Sequence, residues 1–155
     1  MFPRSAVAAA IGLAAYPAAA TPLELTSHIM VEQRIAAADG TSSIALVKPA
    51  KVVPGDRVVF VLAYRNTGAQ PIADLVLANP LPASISYQAA APGSPAPELS
   101  VDGRSFGALE TLRVRAADGT PRAATPADVV AVRWRLSKPL AAGAGAELRF
   151  QAVVK

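Results

Sequence analysis

The sequence predicts an all-β protein, a single sandwich of about seven to nine strands behind an N-terminal leader. Three observations carry that prediction. The apolar runs are short, and they either alternate with polar residues or are β-branched and aromatic throughout, as strands require. Turn-forming residues separate those runs instead of gathering in one tract, with 14 Pro and 10 Gly spread along 155 residues. Past the leader no stretch keeps a helical period for about ten residues or more, and the Ala-rich pieces are broken by Pro or Gly.

Residues 1–20 read MFPRSAVAAAIGLAAYPAAA. Arg4 supplies a positive start, an apolar stretch runs from Ala6 to Tyr16, Pro17 breaks it, and Ala18-Ala19-Ala20 offers small residues for cleavage. The stretch is shorter than the roughly 20 apolar residues of a membrane-spanning helix. A signal peptide ending at Ala20 is expected, followed by one domain over residues 21–155 that is exported to the periplasm or cell surface and is not integral to the membrane. Fourteen of the 15 basic residues remain after cleavage, against 11 acidic ones, a net charge of +3. The chain has no Cys. Its exported domain must therefore be held by packing alone, and disulfides, thiolate metal sites and a Cys nucleophile are excluded. Hydrophobic residues make up 52%, but 35 residues are Ala, so the core is leaner than that share implies.

Each element follows from local pattern. Leu23–Ile35 opens with alternating Leu23, Leu25, Ile29 and Val31. Asp39-Gly40 marks a hairpin turn, and Ser43–Val47 is a short strand stopped by Lys48-Pro49. Val53-Pro54-Gly55-Asp56 is a tight reversal. Arg57–Arg65 is the most apolar run and reads as a central strand buried on both faces, ended by Asn66-Thr67-Gly68. Ile72–Ala78 follows, closed by Asn79-Pro80-Leu81-Pro82, and then Ile85–Gln88. Ala89–Pro97 is an Ala/Pro/Gly/Ser loop. Leu99–Val101 leads into Asp102-Gly103, and Thr111–Arg115 into Asp118-Gly119. Val129–Leu136 and Glu147–Val154 close the chain.

Alternation also identifies a core. Val58, Phe60, Leu62 and Tyr64 share one face of their strand. Val130, Val132, Trp134 and Leu136 share a face of theirs, with Arg133 and Arg135 on the other. The expected core is Phe60, Leu62, Tyr64, Val132, Trp134 and Leu136, with Trp134 against Phe60 and Leu62 at its centre. An exposed Trp134 that binds sugar or peptide is the functional alternative, and the apolar alternation around it favours the core.

The segment VVPGDRVVFVLAYRNTGAQPIADLVLANPLPASISY joins a Val-Pro-Gly-Asp turn, an apolar strand ending Tyr-Arg-Asn-Thr-Gly, a Leu-Val-Leu strand and Asn-Pro-Leu-Pro. It resembles the "conserved repeat domain" family of bacterial and archaeal surface proteins, catalogued as the eleventh domain-of-unknown-function family. Val132-Arg133-Trp134, Pro139-Leu140 and Gly143-Ala144-Gly145 are similar to the later half of that pattern, so the likeness spans Ala45–Val154. The resemblance implies an immunoglobulin-like β-sandwich in cell-surface or extracellular proteins, often in tandem, and it brings no catalytic residues. A single copy without a visible sorting motif departs from a long-stalk role and points to a small free or assembling subunit.

The chemistry-bearing residues have plain structural readings. His28 is the only His and sits in an alternating strand, without a Gly-x-Ser-x-Gly elbow to make it a base. Asp39, Asp102 and Asp118 each precede Gly and form turns. Calcium needs several clustered oxygens, which only converging loops could supply here. No phosphate-binding Gly motif occurs in a strand-to-helix context. No catalytic residue, cofactor or metal is expected. Arg113, Arg115, Arg133 and Arg135 would form an outward basic stripe if their strands shared a sheet. Such a stripe would suit an anionic surface polysaccharide, and otherwise it is a solvated face that discourages aggregation. A nucleic-acid partner is not expected. Two classes of function remain: a non-enzymatic surface module that acts through protein–protein contacts, including self-association by the Leu23–Ile35 strand, and a periplasmic binding or accessory protein that uses loops or a sheet edge. The same strand could instead complete its own sandwich.

Overall fold

The computed structural model describes residues 22–36 and 38–155. The expected leader lies outside the described residues. Among the described residues no helix is long and apolar enough to cross a membrane.

The fold is an all-β sandwich. Its strands are β1 (Leu23–Ala36), β2 (Ser42–Val47), β3 (Arg57–Asn66), β4 (Val76–Pro80), β5 (Ile85–Ala90), β6 (Glu98–Ser100), β7 (Arg113–Arg115), β8 (Pro121–Ala123), β9 (Ala131–Arg135) and β10 (Gly145–Val154). A five-stranded sheet runs β2-β1-β3-β10-β5, a three-stranded sheet runs β4-β9-β6, and β7-β8 form a separate ribbon. Every pairing is antiparallel. The ten strands among the described residues exceed the expected seven to nine because β8, a Pro-Arg-Ala segment without apolar alternation, pairs with β7.

β3 is central, as its composition requires. It is flanked by β1 and β10, and both of its faces are buried. Val58, Phe60, Leu62 and Tyr64 face the second sheet, while Val59 and Val61 are covered from outside by Ala91, Met30 and Leu46. Between the sheets, Phe150 of β10 is 0% exposed and stacks on Phe60 with ring centroids 4.9 Å apart. Trp134 reaches across to Phe150 at 6.2 Å. Trp134 is therefore core, but the aromatic ring it meets is Phe150.

The turns follow their residues. Asp56 N–H donates to Val53 O across Pro54-Gly55, and Gly55 has φ 97°, the positive value a type II reversal needs at its third position. Asp39-Gly40-Thr41 and Asp118-Gly119-Thr120 close the two ribbons in the same way. In each, the Asp Oδ1 accepts both the Thr backbone N–H and the Thr hydroxyl.

Four expectations are corrected. The strand expected over Ile72–Ala78 begins only at Val76: Ile72 makes an isolated bridge with Leu140, and Asp74 adopts φ 51°. That left-handed residue resets the alternation, so that Leu75 and Leu77 both face inward. Val130 is 43% exposed, because a 3-10 turn at Pro126–Asp128 delays β9 to Ala131 and turns Val129 inward instead. Another 3-10 turn, Leu109–Thr111, shortens the expected Thr111–Arg115 strand to Arg113–Arg115. Leu136 only packs against the core from its margin.

The first strand belongs to its own sandwich. Leu23–Val31 pairs with β3, and Val31–Ala36 pairs with β2. Since Val31 opposes Val58 near the start of β3, β1 beyond Val31 has β2 as its one strand partner. The β1–β2 hairpin bends over the outer face of the larger sheet there: Leu46 packs against Val59, Val61 and Ala91, and Gln151 Nε2 donates to Glu32 Oε1 at 2.8 Å.

Candidate functional site

The opposite pole, at the Tyr64 end of β3, holds a cleft of about 500 Å³ between the sheets. Tyr64 of β3 and Leu148 of β10 form one side, and Trp134, Leu136 and Leu140 form the other. Polar groups stand around this apolar lining: Glu98, Arg135, Ser137 and Lys138. An apolar concavity with a few placed polar groups is the usual form of a binding site.

Two buried hydrogen-bond sets shape the cleft. Trp134 Nε1 donates to Pro95 O at 2.9 Å, which ties the loop after β5 to β9. Asn66, 0% exposed, organises the other wall. Its Nδ2 donates to Gln70 O at 2.8 Å and Leu140 O at 3.0 Å, and its Oδ1 accepts from Gly68 N–H at 2.9 Å. Asn66 also bonds through its backbone to Ala144 and Gly143. The Asn-Thr-Gly string thus clamps the 66–72 segment to the 137–145 loop.

The electrostatics favour binding over proton transfer. Glu98 accepts from Arg133 Nε at 2.8 Å, and Arg135 Nε lies 3.5 Å from the same oxygen. The hydrogen bond from Arg133 holds the Glu98 carboxyl below its ordinary pKa, with smaller help from the Arg133 and Arg135 charges. Glu98 therefore carries no proton to donate near neutral pH and is a weakened base. Arg133 also lies over the Phe106 ring, 4.0 Å from its centroid, so it is occupied twice. Burial raises the Tyr64 phenol, which stays a neutral donor and acceptor. Lys138 takes part in none of the ion pairs among the described residues.

The four arginines do not form one stripe. Arg113 and Arg115 are in the β7–β8 ribbon, while Arg133 and Arg135 are in β9 of the three-stranded sheet. Arg113 donates to Glu110 O and Leu112 O, and Arg115 to Gly119 O. His28 pairs with Val61 across the outer face of the five-stranded sheet, away from the cleft. No group of His, Asp and Glu suited to a metal ion occurs among the described residues.

Of the residues expected to matter, Tyr64, Trp134, Arg133, Arg135 and Leu136 meet in the cleft; the expected core residues Tyr64, Trp134 and Leu136 thus also line a concavity. Lys138, Ser137 and Glu98 were not singled out. Glu98 lies 35 residues from Arg133, and only the β6–β9 register, which sets Glu98 opposite Arg133, brings the two together. Comparison of the chain with protein-family models, with curated proteins and with solved structures returns no match.

Proposed function

We propose that the chain is an exported, non-enzymatic surface module that acts through protein–protein contacts. The isoleucines left exposed on the β1–β2 hairpin carry this reading. Ile35 is 46% exposed on one face and Ile44 65% exposed on the other. A two-stranded hairpin is marginal in water by itself, and one that displays an isoleucine on each face gains from a partner that covers them. The leader pattern of residues 1–20 supports export, and the likeness to the surface-protein family supports a structural role.

The cleft favours a second reading, a periplasmic accessory protein that binds a ligand or client there. The size of the native protein separates the two. Protein recovered from envelope or medium should begin at Thr21 by mass spectrometry, and light scattering should show it associated with itself or with another chain. A full-length cytosolic product would remove the export reading. A monodisperse monomer that retains a small ligand would favour the accessory protein.

A further inference from the structure

The hydrogen bonds around the cleft leave its donors and its acceptors in different states. Three acceptors in its wall are already engaged. Glu98 is held by Arg133, Pro95 O by Trp134 Nε1, and Leu140 O by Asn66 Nδ2 and the Ile72 N–H. The cations are less fully used. Lys138 is exposed and takes part in none of the ion pairs among the described residues. Arg135, its side chain 57% exposed, meets Glu98 only at 3.5 Å. Arg133, Arg135 and Lys138 thus set three positive charges against the single carboxylate of Glu98. Arg135 and Lys138 bracket the half-buried Leu136 in sequence, and Leu140, Leu148 and the Trp134 ring continue the apolar lining. The one N–H of the indole is taken by Pro95, so the ring has no further donor to give.

We propose that the cleft binds an amphiphilic organic anion, a carboxylate on a single alkyl chain. The carboxylate meets Lys138 and Arg135, whose planar guanidinium matches it, and the chain lies along Leu136, Leu140 and Leu148. This names a ligand class for the accessory-protein reading of the cleft and rests on that reading. The volume of about 500 Å³ falls within the range of small-molecule sites. An alkyl body suits the lining better than a peptide does. Each peptide N–H carried into the cleft needs an acceptor, and an unpaired one is costly once desolvated.

Trp134 is the only Trp and lines the cleft, so its emission reports on occupancy directly. The test titrates the full chain with decanoate below its micelle concentration, which should change that emission saturably. Decyltrimethylammonium has the same chain and the opposite charge, and acetate has the head group alone. Each should bind at least about tenfold more weakly. Lys138→Glu and Arg135→Gln should each weaken decanoate by a similar factor, and both side chains are exposed, so melting temperatures should match wild type. Equal binding of decanoate and decyltrimethylammonium overturns the proposal, as does decanoate binding that survives both substitutions. Tighter binding of N-acetyl-leucyl-leucine than of decanoate overturns it in favour of a peptide terminus. Unchanged emission with decanoate also overturns it, and mass spectrometry of small molecules extracted with the native protein then separates the failures. A retained neutral or cationic molecule rejects the anion while leaving the ligand-binding reading, and no retained molecule rejects both.

Discussion

Asn66 shows how much a single side chain carries here. Its amide meets two carbonyls and one N–H from the 66–72 and 137–145 segments, and the side chain is fully buried. Asn66→Ala leaves buried polar groups unpaired, each costing ~1–3 kcal/mol, and should destabilise the domain by about 3 kcal/mol in urea unfolding. A loss within 0.5 kcal/mol, roughly the surface-substitution range, would show that the clamp is dispensable. Gly145 is constrained differently: a Cβ there would stand 2.6 Å from Tyr64 O, on the backbone of the adjacent central strand. Gly145→Ala should therefore cost about 1–3 kcal/mol through forced displacement, and an unchanged melting temperature would contradict the close approach. Asp102 is one of the carboxyls that contribute to acid behaviour. Backbone N–H bonds from Arg104 and then Ser105 lower its pKa from 3.8 to about 2. A carboxyl whose folded pKa is depressed stabilises the fold above its unfolded pKa, and that contribution is lost as pH falls through the folded value. Melting temperature should decline between about pH 4 and pH 2, and Asp102→Asn should flatten part of that decline. A parallel decline in the variant would assign the effect to Asp39, Asp118 and Asp128, whose carboxyls are also lowered by hydrogen bonds.

At the scale of elements, the sequence made strands with strong alternation or continuous β-branching easy to place. β1, β3 and β10 were legible for that reason, and so were the Asp-Gly and Pro-Gly turns, whose conformations are local. The misplaced elements are those where a non-local partner or an unusual backbone state decides. β8 lacks any apolar period and exists because β7 pairs with it. β4 starts late because Asp74 takes a left-handed conformation that Asp tolerates but does not demand. Asp74→Gly should be neutral or slightly stabilising, whereas Asp74→Val should cost about 1–2 kcal/mol in the same unfolding assay. Equal effects of the two would mean that the backbone there is not held. The cleft was legible only in part. Alternation placed Trp134 and Tyr64 inside, but Lys138, Glu98 and Pro95 come from loops and a three-residue strand whose positions depend on the β6–β9 register and on the Asn66 clamp.

For the whole molecule, one buried cluster draws on β3, β5 and β10 from the larger sheet and on β4, β6 and β9 from the smaller. Neither sheet keeps its inner face covered without the other, so the sandwich should unfold as one cooperative unit. Trp134 is the only Trp, and it sits between the sheets, beside Phe150 and bonded to Pro95 O. Its fluorescence therefore reports on the sheet–sheet contact itself, while far-UV circular dichroism reports on strands throughout. The two signals should trace one urea transition with the same midpoint. The β7–β8 ribbon stands apart from this unit. β8 is exposed at every residue, and β7 offers only Val114, half-buried. Its amides should exchange with deuterium well before those of β3 and β10, which are paired on both sides within the sheet. A fluorescence midpoint displaced from the dichroism midpoint would mean that the sheets separate before their strands melt. Equal protection of the β7–β8 and β3 amides would mean that the ribbon belongs to the cooperative core after all.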